Sequence, residues 1–113
     1  MQVISRKALV EACSENKYRA AASEVDAWEK VASKADWGSL EDVRRTYADA
    51  DGVTIGNRVY TIFNICRNQF RLVVQINYQF KMIFFKRLMT HAEYDREEWK
   101  KSLRKEQERQ GVL

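Results

Sequence analysis

The residues able to do chemistry gather in the second half of the chain. Positions 53–90 carry six basic side chains (Arg58, Arg67, Arg71, Lys81, Lys86 and Arg87) and no acidic one. Residues 1–52 carry eight basic and ten acidic side chains, and residues 91–113 carry six of each. A long block without a carboxylate, in a chain that is 32% charged, predicts a positive surface patch and a polyanionic partner. The block also holds Tyr60, Phe63, Phe70, Tyr78, Phe80, Phe84 and Phe85. Cations interleaved with aromatics suit single-stranded nucleic acid, whose bases stack and whose phosphates pair. The plainer alternative is that the aromatics fill a core, because strands are rich in them. Just beyond the block lies His91, the only histidine, with Tyr94 and Asp95 three and four residues later. On a helix those three share a face. In a first helical turn the dipole favours the neutral imidazole, and hence a base.

The elements that must position these residues read as helices, then a meander, then a helix. Val3 and Ile4 suit a short strand, and Ser5 an N-cap before RKALVEAC. Ala21, Val25, Trp28, Ala32 and Ala35 step by four, three, four and three along one helical stripe. Ser39 and Asp42 resemble a capping box for a short helix with Leu40, Val43 and Tyr47 inside. ADADG at 48–52 reads as a loop. Strands follow at 58–65, 69–77 and 81–88. The first carries Val59, Thr61, Phe63 and Ile65 on one face. The second separates Phe70, Leu72, Val74 and Ile76 from Gln69, Arg71, Val73, Gln75 and Asn77, the latter set facing solvent or ligand. Cys66, Arg67 and Asn68 suit a three-residue hairpin loop with Asn68 left-handed. In the third strand either Met82, Phe84 and Leu88 or Ile83 and Phe85 face the core. Thr90 and Glu93 make a capping box that opens a last helix. The order β-α-α-β-β-β-α predicts an α+β fold. N-terminal helices pack on one face of a small antiparallel sheet, and the other face is polar, basic and partly aromatic.

Composition narrows the functional classes. A chain of 113 residues makes one domain with one core, so 1–113 is read as a single unit. Residues 100–113 read as a charged helical tail in which Leu103 is the one apolar side chain before Arg109, so the tail should bury little. No apolar run reaches the ~20 residues of a membrane span, and the N-terminus lacks a secretory pattern. Cys13 and Cys66 read as free thiols in a reducing cytoplasm. One histidine and two scattered cysteines do not make a zinc site of the usual kind. With no proline and four glycines there is no Gly-rich phosphate loop, and no cofactor is expected.

GNRV (56–59), FNICRNQFRL (63–72), INY (76–78) and above all THAEYD (90–95) resemble the HigB family of bacterial type II toxins, within the RelE-like group of mRNA interferases. VISRKAL (3–9) and KADW (34–37) are similar to its N-terminal pattern, so the resemblance spans roughly residues 3–99. Cys66-Arg67 stands where the family usually has Gly-Gly, and VYTIFNI is about two residues longer than the family's usual stretch. The resemblance implies a RelE-like fold and a metal-independent ribonuclease that cleaves mRNA, usually on the translating ribosome. It also implies a HigA-type antitoxin with a helix-turn-helix domain, through which alone the toxin would meet DNA.

Strand cleavage by the 2′-OH needs a base, a charge stabiliser for the phosphorane and an acid for the leaving 5′ oxygen. Arg71 on the exposed sheet face suits the stabiliser, and its replacement should barely change stability. Lys86 meets it if it also faces outward, which the family's basic residue at that position implies. His91 within THAEYD and Tyr94 are the acid–base candidates, and Asp95 supports His91. Tyr94 could instead stack on a base. Arg58, Arg67, Asn68 and Arg87 are candidates for RNA contact, and Glu93 for capping alone. A non-catalytic RNA-binding module and a degenerate toxin that only binds its antitoxin are the competing functions.

Overall fold

The computed structural model describes residues 1–110. A short strand β1 (Gln2–Ile4) leads into α1 (Arg6–Ser14), a 3-10 segment (Asn16–Ala21), α2 (Ala22–Lys34) and α3 (Leu40–Thr46). Four strands follow: β2 (Asp51–Ile55), β3 (Arg58–Ile65), β4 (Phe70–Asn77) and β5 (Met82–Thr90). The chain ends in α4 (His91–Asp95) and α5 (Glu98–Arg109). The sheet order is β1-β5-β4-β3-β2, antiparallel throughout except that β1 runs parallel to β5. This is the expected α+β architecture, with a mixed five-stranded sheet in place of a purely antiparallel one.

The α2 stripe works as its spacing predicts. Ala21, Val25, Trp28 and Ala32 are buried, and Trp28 meets Phe63 of β3 edge-on at 5.3 Å. Ser39 caps α3 by accepting from the Asp42 amide, whereas the Asp42 carboxylate turns to the Gly38 amide. Ser5 sits ahead of α1 but in a left-handed conformation (φ 69°), and its side chain makes no cap hydrogen bond.

Four expectations about the second half need correction. First, 48–52 is not wholly loop: Asp51 and Gly52 open β2, which pairs with β3 through a two-residue turn at Gly56-Asn57. Gly56 takes a left-handed φ of 62° there, the conformation that tight hairpins demand of their first central residue. Second, neither sheet face is open. One face packs on α1–α3 with Phe63, Ile65, Phe70, Leu72 and Val74. The other buries Ile55, Tyr60, Ile62, Val73 and Met89 beneath Trp99 and Leu103 of α5. Third, the residues from Lys100 to Arg109 are not a loose tail. Leu103 and Gln107 of α5 are fully buried, because Trp99, Leu103 and Gln107 fall four apart on one helical stripe. Residues 111–113 of the expected tail lie outside the described residues. Fourth, the last helix is two helices, parted where Glu97 adopts a left-handed φ of 61°.

A β-bulge settles the two alternatives for β5. Val73 pairs with Arg87 and Val74 with Phe85, so Lys86 is an extra residue and the facing pattern shifts by one. Ile83 and Phe85 face the N-terminal helices before the bulge, and Leu88 faces them after it. Each alternative was therefore half correct. Lys86 and Arg87 both reach towards α5.

Glu93 locks α4 in place. It completes the capping box with Thr90 (2.9 and 3.2 Å) and also accepts from Lys17 Nζ and Tyr18 Oη, each at 2.7 Å. Burial alone would raise its carboxyl, but the hydrogen bonds from Lys17, the Thr90 amide and Tyr18 outweigh that and lower it to about 2.

Two stability experiments check this arrangement. Leu103→Ala should cost about 2–5 kcal/mol, read as a lower urea midpoint, and truncation after Trp99 should lose more. A cost of under ~0.5 kcal/mol, the usual surface value, would mean that α5 is not part of the core. Glu93→Gln should cost about 1–2 kcal/mol at pH 7, limited by the solvent exposure of Lys17. Because the folded carboxyl lies below its unfolded value of about 4.3, this contribution is present above that value and fades as pH falls towards 2. The two proteins should therefore converge in acid.

Candidate active site

The hairpin between β3 and β4 turns through residues 66–69, one residue longer than expected. Cys66, Arg67 and Asn68 all take left-handed φ values, of 53°, 51° and 76°. The Cys66 amide donates to Glu24 of α2 at 2.7 Å, which anchors the turn. The His91 amide donates to the Gln69 carbonyl at 2.9 Å, which fixes the start of α4 against the same hairpin.

Arg71 lies where these parts converge. It is 9% exposed, so the expectation of an exposed sheet residue is wrong: His91 and Tyr94 of α4 lie against its guanidinium. One terminal nitrogen donates to the carbonyls of Asn68 (2.9 Å) and Phe70 (3.2 Å). The other stands 3.1 Å from His91 Nδ1. A guanidinium can only donate, so Nδ1 accepts and the imidazole proton sits on Nε2. That nitrogen is 3.3 Å from the Asp95 carboxylate. Arg71, His91 and Asp95 thus form one line of hydrogen bonds. His91 and Asp95 have side chains 56% and 60% exposed, which leaves the line open to a substrate at one end.

Tyr94 is held from two sides. Its ring stacks on Trp99 at 5.1 Å, and the Arg71 guanidinium lies 5.4 Å from its centroid. Trp99 Nε1 donates to the Tyr94 carbonyl at 3.0 Å and locks the pair. Burial, helped by the charge of Asp51, pushes the Tyr94 phenol up against the opposing pull of Lys100 and Arg71. The hydroxyl therefore keeps its proton at neutral pH.

The structure does not bring Lys86 to Arg71. Arg71 pairs with Met89, three residues along β5 from Lys86, which is roughly 10 Å of strand. The Lys86 ammonium goes instead to Glu106 of α5 at 3.0 Å. Burial would raise the Glu106 carboxyl, but the hydrogen bond and charge of Lys86, with Arg87, hold it below the usual range. Arg87 donates to Ser102 Oγ at 2.8 Å and lies 3.5 Å from Glu106. Arg58 reaches Gln75 and Gln110 at 3.4 and 3.3 Å. Arg67 stands exposed at the hairpin tip, beside the Asn68 carbonyl that holds Arg71. Among the described residues no group of three His, Cys, Asp or Glu side chains is placed to hold a metal ion, and no helix is long and apolar enough to cross a membrane.

Trp99 and Glu106 were missed as site residues. The signal that could have found Trp99 is its four-residue spacing to Leu103 and Gln107, which marks a buried stripe in a segment whose composition is otherwise charged.

Comparison with known proteins identifies the family of the chain. A curated protein of Escherichia coli O6:H1, mRNA interferase HigB, is 30% identical over 96 residues, which cover 85% of this chain and 90% of that protein. A family model described as the HigB toxin, RelE-like toxic component of a toxin–antitoxin system, matches residues 21–97 and so takes in the hairpin, Arg71 and all of α4. The chain belongs to the HigB family of RelE-like toxins.

Proposed function

We propose that this toxin is a metal-independent endoribonuclease that cleaves mRNA on the translating ribosome in the cytoplasm. A HigA-type helix-turn-helix antitoxin holds it inactive, and it meets DNA only through that partner. The line Arg71–His91–Asp95, with Tyr94 against Arg71, carries the reading. The name of the Escherichia coli relative supports the substrate.

Each chemical requirement has a residue. As RNA enters, the Arg71 nitrogen on His91 Nδ1 turns to a non-bridging phosphate oxygen, which frees Nδ1 as base. The 2′-oxygen attacks phosphorus and its proton passes to Nδ1. Asp95, already on Nε2, stabilises the imidazolium that forms. Arg71 offsets the charge that grows on the phosphorane, and its burial makes that interaction strong. The P–O5′ bond breaks, and Tyr94 gives its hydroxyl proton to the leaving oxygen. The products are a 2′,3′-cyclic phosphate and a 5′-hydroxyl, and solvent returns the proton from His91 to Tyr94. With its ring engaged by Trp99 and Arg71, Tyr94 contributes through its hydroxyl and not by stacking on a base. Arg67 and Asn68 flank the entry side as RNA contacts. Arg58, Arg87 and Lys86 belong to the sheet face under α5 and serve binding, not the scissile phosphate.

Controlled expression with growth arrest and mRNA cleavage as readouts tests the assignment. His91→Ala and Tyr94→Phe should each slow cleavage ~100-fold or more. Tyr94→Phe should leave stability within ~0.5 kcal/mol, whereas His91→Ala, which takes a hydrogen-bond partner from the buried Arg71, should cost about 1–3 kcal/mol. Arg71→Ala should cost ~100–1,000-fold in rate. It should also cost about 1–3 kcal/mol in stability, because it strands the Asn68 and Phe70 carbonyls. If folded His91→Ala and Tyr94→Phe proteins cleave and arrest growth like the parent, the assignment is wrong, and a toxin acting by binding alone is the better account.

A further inference from the structure

The acid-free block from 53 to 90 supplies cations to the sheet face, and α5 brings a carboxylate to them. One Glu106 oxygen lies 3.0 Å from Lys86 Nζ and the other 3.5 Å from Arg87, whose guanidinium also holds Ser102 Oγ at 2.8 Å. Two oxygens of one anion set on an ammonium and a guanidinium is the arrangement that two phosphate oxygens would take. The bulge in β5 creates it by turning the consecutive residues Lys86 and Arg87 to the same side.

Among the described residues, the part of α5 that carries Glu106 docks through a set of polar contacts. Leu103 is the last buried apolar residue of the helix, and beyond it the docking consists of the Glu106 pairs, Gln107 Nε2 on the Ile55 carbonyl (2.9 Å) and Tyr60 Oη (2.8 Å), and Arg58 on Gln110 (3.3 Å). Gln107 Oε1 is buried without a hydrogen-bond partner among the described residues, which disfavours the docked position. The family match ends at residue 97, before α5 begins.

We infer that Lys86 and Arg87 form a phosphate subsite for single-stranded RNA that Glu106 occupies in the RNA-free protein, so that docking of the distal half of α5 and RNA binding oppose each other. The inference rests on the ribonuclease reading above for the identity of the polyanion. By linkage, each event weakens the other by the same factor.

The test is fluorescence anisotropy with a labelled, 2′-O-methylated single-stranded RNA, which cannot be cleaved, across a range of salt concentrations. Folded Glu106→Gln protein should bind at least ~10-fold more tightly than the parent. Its log–log salt slope should stay close to the parent's, because both complexes engage the same two phosphates, whereas losing the Lys86 ammonium should make the slope shallower by ~0.7, the value of one phosphate contact on a single strand. Lys86→Met added to Glu106→Gln should remove the gain. Saturating the parent with the same RNA should speed amide hydrogen exchange in residues 104–109 at least ~10-fold. The inference falls if Glu106→Gln binds no more tightly than a parent that binds and cleaves RNA, if the gain survives Lys86→Met, or if 104–109 stay protected in the complex. If neither protein binds the RNA, this inference falls by itself, and the ribonuclease reading is decided separately by the growth-arrest and mRNA-cleavage assay.

Discussion

A buried guanidinium organises this protein. Arg71 is a charge taken largely out of water on the central part of a sheet, and such a charge persists only if its donors are satisfied. The surrounding structure supplies the partners. Two backbone carbonyls face it because the hairpin turns through three consecutive left-handed residues, Cys66, Arg67 and Asn68, none of them glycine. Side chains adopt that conformation reluctantly, so the turn is held by what it touches: Glu24 at the Cys66 amide and the His91 amide at Gln69. The third partner, His91 Nδ1, is delivered by a helix only five residues long, whose position depends on the Thr90–Glu93 capping box and on Lys17 and Tyr18 beyond it. Removing support at any of these points loosens the same cationic centre.

The second organising feature is that both faces of the sheet are covered. The N-terminal helices bury one through large apolar residues around Phe63. α5 buries the other with little apolar area of its own, chiefly Trp99 and Leu103, and completes the contact with polar groups. Covering a face this way gives a cooperative core near Trp99, where Tyr94 and Arg71 must stay rigid. It leaves a more easily exchanged contact near Glu106. Rigidity at one end of the helix and exchangeable ion pairs at the other suit a protein that must fold stably and still admit a long polyanion.

Much of this was legible in the sequence. The α2 stripe and the capping residues Ser39 and Thr90 each follow from spacing, and each matches an observed element. The alternation in β4 marked the face that meets the N-terminal helices but not the burial of the other face. The His91, Tyr94 and Asp95 cluster was legible as a helical face. What the sequence hid has physical causes. β2 was lost because Asp and Gly at 51–52 carry loop propensities that pairing with β3 overrides, although Gly56-Asn57 between VTI and RVY is a hairpin signal. The orientation of β5 could not be resolved by a period of two, because a bulge breaks that period at Lys86. The burial of Arg71 depends on His91 and Tyr94 of α4 lying against its guanidinium, a long-range contact that local pattern does not encode. For the same reason Lys86 read as a neighbour of Arg71, when the register places it beside Glu106.

The central claim is that Arg71 donates to Nδ1 of His91 and so fixes the ring as the Nε2–H tautomer, ready to serve as a base. His91 is the only histidine in the chain, so a long-range 1H–15N correlation spectrum of the labelled protein reports on it without ambiguity. At neutral pH the spectrum should show Nδ1 unprotonated and Nε2 protonated, and the pattern should collapse towards a tautomer average in Arg71→Gln. A ring protonated on Nδ1 in the parent, or a parent spectrum already averaged and unchanged by Arg71→Gln, would contradict the account.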